Sequence, residues 1–195
     1  LVFCGFYVSV FELAWNWTGN VYLTILLFVF LSSVPSAVIG LPFSLYREFR
    51  IEKKFGFSNM TLKMFILDSI KEIFVSLLIG VPLLLAAVAF IGHFDRWWWL
   101  LFGLVYLGLS LGLSYVYPVW IAPLFNKFVP LEDGELKTKI EDLFEKTGFK
   151  TSGIFTMDAS KRSNHSNAYF TGLGKNKRIV LYDTLIKQLD TDEVV

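Results

Sequence analysis

Hydrophobic positions run almost unbroken through residues 1–123 and become periodic after them. Residues 1–17 carry one charge, Glu12, and close on Trp15-Asn16-Trp17, an aromatic ending of the kind that marks the membrane interface. Gly19-Asn20 reads as a tight turn. Between Val21 and Tyr46 there is no Asp, Glu, Lys or Arg, a run long enough at 1.5 Å per residue to cross a hydrocarbon core of roughly 30 Å. Pro35 and Pro42 inside it are expected to bend or end the helix. A basic stretch over 47–62 follows, with Arg47, Arg50, Lys53 and Lys54 against Glu48 and Glu52, and Thr61 stands where an N-cap would. The next segment opens amphipathic with Asp68, Lys71 and Glu72, then carries no Asp, Glu, Lys or Arg from Ile73 to Phe94. His93, Asp95 and Arg96 form a polar turn, and Trp97-Trp98-Trp99 begins a last apolar run as an interfacial belt. The pattern predicts four membrane helices, over about 1–18, 21–45, 63–93 and 97–123. Gly108 and Gly112 suit a close helix contact.

Beyond Pro123 the pattern changes period. Leu131, Leu136, Ile140, Leu143 and Phe144 recur at helical spacing among charged residues, with Gly148 as a stop. Gly153 to Asp158 predicts a strand, and Ala168–Thr171 with Arg178–Tyr182 predicts a hairpin joined by the glycine-rich 172–177. Asp183 is expected to cap a helix over Thr184 to Leu189. Asp190 and Glu193 have capping-box spacing, so another helix opens at the end of the chain. The expected fold class is a multi-span α-helical membrane protein, residues 1–123, with a small cytoplasmic α+β segment, residues 124–195.

Composition agrees with a membrane protein. The chain is 54% hydrophobic, with 20 Phe and 6 Trp in 195 residues, and its mean hydropathy is +0.54, far above an ordinary soluble domain. A net charge of +1 offers nothing to nucleic acid. Charge placement is more telling, because four spans put 47–62 and 124–195 on one side, and the Lys and Arg excess lies there. The positive-inside rule makes that side cytoplasmic, in a bacterial inner membrane or the endoplasmic reticulum. A lone cysteine, Cys4, excludes an internal disulfide and a multi-cysteine metal site. The chain opens at Leu1 inside an apolar run without an initiator Met, so it reads as a piece of a longer protein.

Candidate chemistry centres on SKRSNHSNAYFTGLGKNKRIVLYD, residues 160–183. An edge strand over Ala168–Thr171 would offer backbone donors and acceptors to an extended peptide. A small α+β domain also builds such hairpins as scaffold, and spacing alone leaves both readings open. His165 is the one histidine in this block; without a partner at i+4 it makes a poor metal site and suits loop packing better. His93 is plainer still. Asp158, Asp183 and Glu193 suit strand ends and helix caps better than a general base.

Three blocks together, LPFSLYREFRIEKKFGFSNMTL (41–62), YPVWIAPLFNKFVPLEDGELKTKIEDL (117–143) and SKRSNHSNAYFTGLGKNKRIVLYDTL (160–185), resemble the integral-membrane CaaX prenyl proteases of the Ste24 type, zinc metallopeptidases of family M48. The resemblance covers nearly the whole chain. It implies seven membrane helices around an internal chamber, removal of the C-terminal tripeptide from prenylated proteins, and a lipid bilayer and a peptide or prenylated protein as partners. It also implies that Asn167 and Ala168, with Tyr169 beside them, align the scissile peptide. Zinc is implied for the complete enzyme, held by a His-Glu-x-x-His helix and a later glutamate that residues 1–195 lack. No catalytic or metal residue and no bound zinc are therefore expected in this chain, which is expected to be inactive alone. Alternatives are a quality-control protease of the same family acting on unprenylated membrane proteins, and a non-enzymatic membrane scaffold.

Overall fold

The computed structural model describes residues 5–148, 150–172 and 177–195. Cys4 and most of the hairpin connection lie outside the described residues. Two compact units emerge, Leu1–Ile51 with Ile73–Tyr106, and Glu52–Glu72 with Leu107–Val195.

In the first unit, α1 (Phe6–Thr18) and α2 (Val21–Tyr46) form a helical hairpin. Its turn is built by two residues with distinct roles. Gly19 takes the left-handed conformation at φ 58° and returns its N–H to the Trp15 carbonyl. Asn20 is extended, and its Oδ1 accepts from the N–H groups of Tyr22 and Leu23 at 3.0 and 3.2 Å, capping α2. The Thr18 and Thr24 hydroxyls meet at 2.6 Å, and Tyr7 and Phe11 set their rings edge-on to Phe28. Thr24 is almost wholly buried, so its hydroxyl needs that partner. The 13 residues of α1 cover about 20 Å.

Neither Pro35 nor Pro42 ends α2, contrary to one expectation; the helix runs through both and continues as a π-helical turn, Arg47–Glu52. Helix α3 (Leu62–His93) starts on the Thr61 hydroxyl, which accepts from the Met64 N–H at 3.2 Å, and contains Pro82. Helix α4 (Trp98–Val116) passes into a π turn, Tyr117–Ile121, and a short 3-10 turn, Ala122–Leu124. Among the described residues three stretches are long and apolar enough to cross a membrane, Val21–Glu52, Leu62–His93 and Trp98–Leu124; the described part of the expected first membrane helix, α1, is too short to count as a fourth. Side chains of the three stretches are mostly exposed, an apolar surface of the kind that suits a lipid environment.

In the second unit a four-stranded sheet has the order β1-β2-β4-β3, from β1 (Phe128–Pro130), β2 (Gly153–Met157), β3 (Ala168–Thr171) and β4 (Arg178–Tyr182). β2 pairs with β4 in parallel, and the outer pairs β1/β2 and β3/β4 are antiparallel. Side chains alternate between two faces. One face carries Ile154, Ile179 and Leu181, which pack with Leu131 and Ile140 and with flanking residues of α5 (Glu135–Thr147), α6 (Asp183–Gln188) and α7 (Thr191–Val194). The other carries Phe155, Met157, Val180, Tyr182 and Tyr169. β4 is central, so it is apolar on both faces.

Periodicity placed α5 correctly, and Gly148 closes it at φ 66°, but Leu143 is left 39% exposed on its outer side. Asp183 does not cap α6. Its carboxylate turns away to the N–H of Ser160 at 2.8 Å and to the Ser160 hydroxyl. The Asp190/Glu193 capping box forms with both of its bonds, each 3.0 Å.

Candidate functional site

β3 is the edge of the sheet. Opposite residues in its ladder are Ala168↔Leu181, Tyr169↔Val180 and Thr171↔Arg178. The Tyr182 N–H donates to the Asn167 carbonyl at 3.0 Å, which marks Asn167/Tyr182 as a hydrogen-bonded pair. In an antiparallel ladder such pairs alternate, so Tyr169 and Thr171 also face β4, while the N–H and C=O of Ala168 turn outward. The Ala168 N–H is met there by the neighbouring Asn167 Oδ1 at 2.8 Å. Asn167 and Ala168 are both exposed.

Tyr169 has a different situation. Its ring stands edge-on to Tyr182 and its hydroxyl lies 3.9 Å from the Met157 sulfur, on the face away from α5–α7. Burial, reinforced by Tyr182 and Tyr117, pushes its phenol up to about 12. Of the three residues singled out by resemblance, two stand at the open edge and the third packs under the sheet.

The segment leading to β3 is clamped from two directions. Asn59 donates its amide to the Ser160 carbonyl at 2.8 Å and to Asn164 Oδ1 at 2.7 Å, while Asn164 donates to the Gly56 carbonyl at 2.7 Å. Backbone bonds Asn59 N–H to Arg162 O and Asn164 N–H to Phe57 O complete the seam. His165 stacks on Phe57 with ring centroids 4.3 Å apart, its Nε2 3.1 Å from a Glu52 carboxylate oxygen. On the other side Thr184 donates to the His165 carbonyl and Gln188 to the Asn164 carbonyl. Asp183 receives Ser160; burial raises its carboxyl, but Ser160 and Lys187 outweigh that and hold it below the usual carboxylate range.

Below this seam Arg162 grips Asp68 with a two-point fork, Nε to Oδ2 at 2.8 Å and Nη2 to Oδ1 at 3.2 Å, and reaches Asn126 with Nη1 at 3.0 Å. Lys71 supports the same carboxylate at 3.3 Å and caps the Leu124 carbonyl at 2.8 Å. Sequence reasoning missed Asn59, Asp68, Asn126 and Arg162, because their partners lie between 36 and 105 residues away and local spacing carries no sign of them.

Among the described residues no three His, Cys, Asp or Glu side chains come together as a metal site. His165 is committed to Phe57 and Glu52, and His93 donates from Nδ1 to the Ala89 carbonyl of its own helix at 2.8 Å. These residues do not by themselves fit a catalytic zinc, which needs three protein ligands.

Residues 1–127 match the model described as CAAX prenyl protease N-terminal, five membrane helices, and residues 130–195 match that of peptidase family M48. The chain belongs to the M48 peptidase family, within its CaaX prenyl protease branch. CAAX prenyl protease 1 of Saccharomyces cerevisiae is 45% identical over 174 residues, covering 87% of this chain and 38% of that protein. The CAAX prenyl protease 1 homolog of Arabidopsis thaliana is 47% identical over 161 residues, covering 82% and 38%. The crystal structure of S. mikatae Ste24p superposes with a TM-score of 0.86 at 39% identity, over 97% of this chain and 45% of that one. This M48 chain thus spans 38% of the length of the two curated relatives. It is an integral, multi-pass membrane protein.

Proposed function

We propose that the complete protein of which this M48 chain forms part is a membrane-embedded zinc metalloendopeptidase that removes the C-terminal tripeptide of prenylated proteins, and that β3 aligns the peptide to be cut. One observation carries the alignment: Ala168 stands on an edge strand with its N–H and C=O turned away from β4, at the end of a segment fastened on both sides. Such an edge binds an extended chain through main-chain bonds that are indifferent to side-chain identity. Asn167 adds a side-chain amide at the same point. Zinc in the complete enzyme would supply an activated water; the part of this chain is to hold the peptide in register.

The complete protein is expected to cleave a farnesylated CaaX peptide and to lose that activity to a chelator, while residues 1–195 alone neither cleave it nor retain zinc. Equal cleavage of the unprenylated peptide would favour a quality-control protease, absence of chelator-sensitive cleavage a scaffold, and one equivalent of zinc on residues 1–195 would overturn the assignment of ligands.

The reading also places 47–62 and 124–195 on the cytoplasmic side. Their Lys and Arg residues, against Arg96 alone in the 93–96 turn, support it, as does the seam that joins Asn59 to Ser160 and Asn164. Single cysteines replacing the exposed Lys54 and Lys146 in a background without Cys4 should react alike with an impermeant thiol reagent, and one replacing Asp95 should react oppositely. Labelling of all three from one side would exclude this topology. Gly153 is unsuitable for such a probe: it sits at φ 153°, and an added Cβ would come within 3.0 Å of the Phe155 ring.

A further inference from the structure

Arg178 opens β4 on the face shared with Phe155, Val180 and Tyr169. It lines a recess with Tyr117, Pro118, Phe155, Tyr169 and Thr171. Three features of the backbone make that recess. The π turn Tyr117–Ile121 directs the Ala122 N–H to the Tyr117 carbonyl, which leaves the Pro118 carbonyl without the helical partner it would otherwise have. Arg178 Nη1 donates to that carbonyl at 3.3 Å. Gly153, with no Cβ, lets the Phe155 ring lie beneath the guanidinium, whose carbon is 5.0 Å from the ring centroid.

The guanidinium is half-buried, and its inner nitrogen is unmatched. Among the described residues Nε is buried with no hydrogen-bond partner, and no carboxylate pairs with Arg178. Arg162, forked on Asp68, shows by contrast a partly buried arginine of this chain that has its carboxylate. A guanidinium partly withdrawn from water gains from a counter-charge. A water molecule would satisfy the Nε bond and leave the charge uncompensated. With Nη1 occupied, Nε and Nη2 form the side-on edge of the guanidinium, the edge that matches the two oxygens of a carboxylate.

We propose that this recess receives a carboxylate carried by the peptide on β3, so that Arg178 confers a preference for an acidic group at one position of the substrate. The proposal rests on the alignment reading above. Its ground for a peptide rather than a lipid is that Tyr169 and Thr171 belong to the edge strand itself and point their side chains to the recess. A strand added outside β3 sets every second side chain over the same face, beside those two residues.

The test uses the complete enzyme in vesicles of fixed composition and a peptide it cleaves, with Glu and Gln compared in turn at each position around the scissile bond. At one position kcat/KM for Glu should exceed that for Gln by about tenfold, the size of a charge-assisted bond, and the difference should lie in KM. Arg178→Gln should bring the ratio to within about twofold, and Arg178→Lys, which keeps charge but loses the planar fork, should leave an intermediate ratio. Parental thermal melting of Arg178→Lys guards against a folding defect. A ratio near one at every position in the parental enzyme overturns the proposal, and so does a preference that survives Arg178→Gln. A response of Arg178→Gln to the anionic lipid fraction but not to peptide charge assigns the recess to a lipid headgroup and overturns it equally. Failure of the alignment reading is distinguishable, because that appears as normal cleavage by Ala168→Pro whatever the Glu-to-Gln ratio.

Discussion

Ala168→Pro in the complete enzyme is expected to lower kcat/KM by about tenfold to a hundredfold while the protein melts at the parental temperature. The Ala168 N–H points out of the sheet, so proline removes no ladder bond to β4. In the free protein that N–H is held only by Asn167 Oδ1, an exposed bond of small worth. When a peptide displaces Asn167, the N–H becomes the donor for a peptide carbonyl, and proline both deletes the bond and leaves that carbonyl unpaired beside the sheet. The two losses amount to about 1–3 kcal/mol. Ala168→Gly keeps the N–H and should cost far less, which separates the donor from the methyl group. Proline at Tyr169 is the structural contrast, since that N–H faces Val180 within the ladder and its loss should depress melting. Normal cleavage by a well-folded Ala168→Pro would reduce the hairpin to scaffold.

Arg162→Met should lower the melting temperature of the detergent-solubilised protein by roughly 5–10 °C. Asp68 and Arg162 have side chains only 12% and 21% exposed, and their fork joins α3 to the segment that precedes β3. Removing the arginine leaves a carboxylate with Lys71 alone, whose own side chain is 42% exposed. Breaking a fully buried pair costs 3–5 kcal/mol, and the partial exposure here brings the expectation to about 2–3 kcal/mol, or the stated shift for a chain of this size. Asp68→Asn combined with Arg162→Met should cost less than the sum of the two single changes, because the double change strands no charge. Additive losses, or a shift below one degree for Arg162→Met, would show that the pair does not fasten this segment. Because Arg162 lies six residues before Ala168 on a continuous chain, the same variant should also raise KM for the peptide.

The three long spans could be read as membrane helices because apolar length is a one-dimensional property: a run without charge must find lipid or a core, and its boundaries fall where Asn20, Thr61 and the Trp97-Trp98-Trp99 belt place them. Local capping chemistry was legible for the same reason. Thr61, Gly148 and the Asp190/Glu193 box act within four residues of themselves and do in the fold what their spacing announces. Pro35 and Pro42 misled, because a missing N–H interrupts a helix only when the freed carbonyl has nowhere better to go, and α2 absorbs both. Asp183 misled for a different reason: Ser160, 23 residues earlier, offers its carboxylate two donors that outbid the helix end.

The sequence by itself determined that this is a multi-span membrane protein with a hairpin after its spans, and it carried the blocks by which the M48 family is known. Only the tertiary structure decided that β3 is an edge and that Ala168 faces out of it, since strand order and ladder parity depend on pairing across the sheet. It also decided which polar residues act together. Asn59 with Asn164 and Asp68 with Arg162 are meetings of residues far apart in the chain, enforced by the cost of leaving a withdrawn donor or charge without a partner, and the placing of Arg178 over Phe155 is likewise a tertiary contact.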